Sequence, residues 1–223
     1  RVKDMNVGGL TPLLYAVREN CIECVNALLD AGADINKPDP DNVSPLILAL
    51  DNMRYDMALN LIERGAAINQ WDFFGRTPLY EAVDTHLLPG RSRRGDLPAI
   101  EKHTALEVAQ VLLAKGANPN LSVKIFPPVR EIAYDRANDY NVMNAGATPI
   151  QHAAYMGDTE MMKLLLEYNA DWSQANVHGV TPMIALTSKS TNENTRSSGK
   201  TELDVMRGLD ILISAGADIN QKG

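Results

Sequence analysis

The chain has 223 residues, 45% hydrophobic and 22% charged, which is enough apolar material for a folded body and too much for a disordered one. A formal net charge of −7 gives no suggestion of the extended positive footprint that nucleic acid requires. No apolar run approaches the ~18 residues of a membrane helix, and two cysteines are too few for a disulfide scaffold.

In chain order, the first predicted helix opens at Thr11-Pro12. A threonine hydroxyl accepts an otherwise unpaired backbone N–H, and proline at the first helical position gives up no bond that the helix could make. Leu13 and Ala16 follow at core spacing. Cys21 and Cys24 then form a lone C-x-x-C, too few ligands for a metal and without the following His of covalent haem attachment. Cys24 falls on an apolar helix position, so a small buried thiol is the favoured reading, with a disulfide or redox pair as the alternative. The second helix carries Leu28-Leu29 and stops at Gly32, a residue that tolerates the left-handed C-terminal cap.

The unit then recurs. Ser44-Pro45 leads to Leu61-Ile62 and Gly65, and Thr77-Pro78 leads to Leu112-Leu113 and Gly116. Thr148-Pro149 leads to Leu165-Leu166 and Asn169, and Thr181-Pro182 to Leu212-Ile213 and Gly216. The caps at 11, 44 and 77 are 33 residues apart, as are those at 148 and 181. Two short helices cannot bury these faces alone, so the units must stack.

These residues are the pattern of ankyrin repeats, and the resemblance covers Asn6 to Asn220. It implies an all-α solenoid of five helix–turn–helix repeats with hairpin fingers, at about 4–36, 37–69, 70–120, 121–173 and 174–220, in a single domain spanning 1–223. One departure is systematic. The family's Thr-Pro-Leu-His has no His here, because Leu14, Ile47, Tyr80, Gln151 and Ile184 hold that position. The bond from cap to imidazole is therefore expected to be absent.

Three insertions break the 33-residue rule. One lies between the helices of the third repeat, around Thr85 to Thr104, and one between those of the fifth, around Ser188 to Thr201. The third enlarges the finger before the fourth repeat, Leu121 to Ala147. Inter-helix turns and fingers occupy opposite edges, so the first two insertions share an edge and the third does not. Long loops of this kind are functional or disordered, and Ser188 to Gly199, rich in Ser, Thr and Asn, is expected to be disordered in isolation. The expanded third, fourth and fifth repeats resemble multi-repeat bacterial ankyrin proteins, many of them exported, which implies a periplasmic or secreted location over a cytoplasmic one. Both ends carry ordinary internal-repeat positions, which suggests a segment of a longer array or ends covered by neighbours.

Catalytic signatures do not stand out. There is no phosphate-binding glycine loop, no G-x-S-x-G and no H-E-x-x-H, and Asp39 and Asp41 belong to a finger turn. No cofactor is expected, and the chain is read as a binding scaffold and not an enzyme. His86 and His103 flank the first insertion and could meet at its base. Arg91, Arg93 and Arg94 form a basic cluster within it, read first as a solvated loop, with docking of an acidic surface or of a phosphate or carboxylate group as the alternative. Aromatics gather in two adjacent fingers: Trp71, Phe73 and Phe74 in one, Phe126, Tyr134 and Tyr140 in the other. Exposed clusters of this kind mark interaction sites, the alternative being that the rings pack on each other. Tyr15, Leu48, Glu81 and His152 are expected on the concave helix face as further partner contacts. The leading function is protein–protein binding through the concave face and fingers. The alternatives are a docking subunit of a larger, exported oxidoreductase assembly, and small-ligand or metal binding at the Thr85–Thr104 insertion.

Overall fold

The computed structural model describes residues 9–87, 101–125, 145–188 and 200–222. Among them ten helices form five antiparallel pairs. The pairs are α1 (Pro12–Arg18) with α2 (Ile22–Asp30), α3 (Pro45–Asp51) with α4 (Tyr55–Glu63), and α5 (Pro78–His86) with α6 (Ala105–Ala114). They continue with α7 (Pro149–Met156) and α8 (Thr159–Glu167), then α9 (Pro182–Thr187) and α10 (Glu202–Ser214).

Local chemistry sets both ends of each unit. Thr11, Ser44, Thr77, Thr148 and Thr181 all sit in extended backbone, and each hydroxyl accepts the N–H three residues on, with Pro at the first helical position. The second helices end on a left-handed residue, Gly32, Gly65, Gly116, Asn169 or Gly216. There the next two amides turn back onto the last carbonyls, as Gly32 and Ala33 do onto Leu29 and Leu28.

The first helices stack in order, α1 on α3, α3 on α5, α5 on α7 and α7 on α9, while α4 packs on α6 and α8 on α10. One apolar core runs through the stack from Leu13 to Leu212. Ala49, Ala82 and Ala153 are fully buried at the crossing points, where a larger side chain would push neighbouring repeats apart. Asn36, Asn69 and Asn120, each four residues past the glycine that stops a second helix, tie one repeat to the next. Asn36 accepts from the Ala67 amide, Asn69 from Asn118 and Asn120 from Asp171.

The sequence expectation for Cys24 does not survive. Cys24 is exposed on the first turn of α2 and is bonded to Cys21. Cys21 is itself the N-cap, its sulfur accepting the Cys24 amide at 3.3 Å.

Candidate partner-binding surface

The fingers are built on a repeated side-chain turn. Asp39 Oδ1 accepts the amides of Asp41 and Val43, Asp72 Oδ1 those of Phe74 and Arg76, and Asn176 Oδ1 those of His178 and Val180. Each acceptor closes its own loop, so residues in between are pushed outward. Burial raises the Asp39 carboxyl above its ordinary range, against the two amides that favour its charge.

Backbone bonds lace neighbouring fingers side by side. Phe73 N–H donates to Asp41, Lys124 and Ile125 to Phe74, and Val177 to Ala145. The approach at Gly75 is so close that a Cβ there would lie 2.7 Å from the Lys124 nitrogen. On this row Phe73 is 57% exposed, Trp71 43%, Ile125 47% and Val177 65%. The Lys124 ammonium sits 3.0 Å from the centre of the Trp71 ring, a cation on the ring's negative face. Phe73 and Phe74 meet edge to face at 5.3 Å. Phe74 itself is only half-exposed, with the Arg76 guanidinium over its other side.

The structure thus sets Trp71 and Phe73 on an open ridge and adds Lys124, Ile125 and Val177, which the sequence reading missed. For Ile125 and Val177 the signal was present, as apolar residues among turn-formers; for Lys124 there was none. Phe126, Tyr134 and Tyr140 of the enlarged finger, and Arg91, Arg93 and Arg94, lie outside the described residues.

The concave-face expectation needs correction. Tyr15 is 36% exposed, with the Arg18 guanidinium over its ring, but Leu48, Glu81 and His152 are buried. Leu48 is packed into the stack of first helices. Glu81 belongs to an interior ionic cluster: Arg76 reaches Asp72 at 2.6 Å, Glu81 at 2.7 Å and Asp51 at 3.7 Å. Desolvation opposes the Arg76 charge, yet Glu81, Asp51 and Asp72 outweigh it and raise its pKa further. His152 bridges two repeats. Its Nε2 faces Asp84 at 3.2 Å, and a carboxylate there calls for a protonated Nε2. Its Nδ1 can then accept from the Tyr80 hydroxyl at 2.9 Å. Burial, with Asp84 and Glu81 close by, pushes the Tyr80 hydroxyl well above its usual pKa. A buried tyrosine therefore makes the inter-repeat bond at a position where the family carries histidine.

His86 and His103 do not meet. His86 Nδ1 pairs with Asp158 at 2.5 Å, and His103 Nδ1 with Asp56 at 2.6 Å. The first insertion is therefore anchored to the fourth repeat at its start and to the second at its end. Asp158 raises the His86 pKa through its hydrogen bond, against partial burial. For Asp56, burial is outweighed by the bonds from His103 and the Lys102 amide, and its carboxyl is lowered. Glu101 completes the anchor. The N-cap of α4, Arg54, has no side-chain cap bond, and the Glu101 carboxylate accepts the Asp56 amide at 2.9 Å instead. The far end of the fifth-repeat insertion is held likewise, Lys200 Nζ donating to the Ala185 and Leu186 carbonyls at the end of α9. Desolvation lowers the Lys200 ammonium to about 8.

Comparison with known proteins agrees with this architecture. The ankyrin-repeat model matches residues 8–40, and a model of ankyrin repeats in many copies matches 97–166. The chain is 29% identical over 188 residues to the human transient receptor potential cation channel subfamily A member 1, covering 75% of this chain and 15% of that protein. Dog inversin is 26% identical over 175 residues, covering 78% and 13% respectively. The mouse B-cell lymphoma 3 protein homolog is 40% identical over 85 residues, covering 38% and 19%. The chain thus spans less than a fifth of each of these relatives, and all three are mammalian, so they lend nothing to a bacterial likeness. The repeated caps, the stacked helix pairs and both model matches identify the chain as a member of the ankyrin-repeat family.

Proposed function

We propose that the chain is a non-catalytic module that holds a protein partner on its finger ridge. The observation that carries this reading is the row Trp71, Phe73, Ile125 and Val177, exposed on fingers that are themselves rigidly hydrogen-bonded. Pre-organised apolar side chains give up little entropy on binding, so their burial goes into affinity. Ankyrin repeats in general mediate protein–protein contact, which agrees with the ridge. The partner contacts proposed are Trp71 and Phe73, joined by Ile125 and Val177, with Tyr15 a separate exposed ring. Phe126, Tyr134 and Tyr140 are proposed as extensions of this surface, and Arg91, Arg93 and Arg94 as a separate contact on the opposite edge.

Phe73→Ala should weaken capture of the physiological partner about tenfold or more, since ~1.4 kcal/mol is a factor of ten and ridge-centre aromatics are worth ~2 kcal/mol. Its melting midpoint should stay near that of the wild type, because the ring is 57% exposed. Phe74→Ala should behave in the opposite way, since its half-buried ring packs on Arg76. Unchanged affinity in Phe73→Ala and Trp71→Ala, measured by calorimetry, would remove the ridge from consideration. We further propose an extracytoplasmic location, in keeping with the bonded pair Cys21–Cys24. Alkylation trapping in intact cells tests it, and a fully reduced pair would count against it.

A further inference from the structure

We propose that Cys21 and Cys24 form a thiol–disulfide exchange site whose substrate is an exposed dithiol on a protein or small molecule. A disulfide that serves as a staple joins distant segments, and this one joins residues three apart within one helical turn. It links no two elements and closes the shortest loop in the fold, so constraint on the unfolded chain is a weak reason for it. No other cysteine is present in the sequence to give it a different partner.

Its two sulfurs are set in unequal surroundings. Cys24 is exposed, whereas Cys21 is half-buried, caps α2 and accepts the Cys24 amide. The amides of a helix N-terminus favour negative charge, which makes Cys21 the better leaving thiolate and Cys24 the accessible point of attack. The chemistry balances without a cofactor. A thiolate of the incoming dithiol attacks Sγ of Cys24, the Cys21–Cys24 bond breaks, and Cys21 leaves as a thiolate held by the Cys24 amide. The second thiolate of the substrate then attacks its own sulfur in the mixed disulfide and expels the Cys24 thiolate. Two electrons have passed from the dithiol to the protein, the substrate is left as a disulfide, and solvent returns the protons. This site lies in the first repeat and is independent of the finger ridge.

The test uses the whole chain and dithiothreitol. Reduction is followed by mass after alkylation, for the folded chain and for the same chain in concentrated urea, where the helix N-terminus is lost. The folded chain should react at least threefold faster. In the Cys24→Ser variant, thiolate absorbance should show Cys21 ionising at lower pH when folded than in urea, a difference that a purely structural disulfide would not require. A rate ratio below threefold, or a Cys21 midpoint no lower than in urea, overturns the proposal.

Discussion

Arg76 shows how much one residue can carry in a repeat protein. It is 4% exposed, and the three carboxylates around it, Asp51, Asp72 and Glu81, come from α3, a finger and α5. Asp72 uses one oxygen to close the finger turn and the other to hold Arg76, so finger and helix stack share an atom set. Arg76→Met should keep the volume but strand the buried carboxylates, costing about 3–5 kcal/mol by the usual result of breaking a buried pair. Urea denaturation at neutral pH checks it; a loss under ~1 kcal/mol would mean the cluster is better solvated than its burial implies. At this scale the Thr/Ser-Pro caps and the glycine stops were legible, because each is completed within three or four residues. Arg76 was not, because its partners Asp51 and Glu81 are chosen by stacking. Cys24 was misread for a related reason: a position on the apolar stripe was assigned by period, while the helix begins there and leaves it in solvent.

Among elements, the second helices depend on their neighbours to different degrees. Cys21, Thr104, Asp158 and Thr201 cap their own helices, while α4 takes its cap from Glu101, at the end of another repeat's insertion. No local pattern announces such a cap, and the insertions could be bounded in sequence without their anchors being visible. The anchor between His86 and Asp158 is the one that pH should release. The His86 pKa is raised above 6.5, so its contribution is fully present below 6.5 and is lost as pH rises through the folded value. The stability difference between wild type and His86→Gln should therefore be largest at about pH 5.5 and smaller by about pH 9. Urea midpoints of both proteins at the two pH values measure it, and a difference that grows toward alkaline pH would refute the assignment. The same reasoning explains why the concave face was misjudged. Helical period puts Leu48, Glu81 and His152 on one side of their helices, but the neighbouring first helices stack close enough to close over them.

At the scale of the whole molecule, the main helix contacts run either within a repeat or between adjacent repeats, and the asparagine rungs Asn36, Asn69 and Asn120 join neighbours only. Such a body is a row of clasps, each fastened only to the next, and under tension it should open one clasp at a time. Caps at 11, 44 and 77, and at 148 and 181, are spaced 33 residues apart, so each opening should release about 100 Å of chain. The stretch from Thr77 to Thr148 holds both the first insertion and the enlarged finger, and its release should be more than twice as long. The Tyr80–His152–Asp84 bridge and the His86–Asp158 pair fasten that same junction, so the longest step should also need the greatest force. Optical-tweezer traces of the tethered chain would show short, weak steps around one long, strong one. A single rip of the entire length would show that the repeats answer to load together. If the steps appear, a partner bound across the fingers from Phe73 to Val177 would span that strong junction, and tension on the chain would reach the bound partner last.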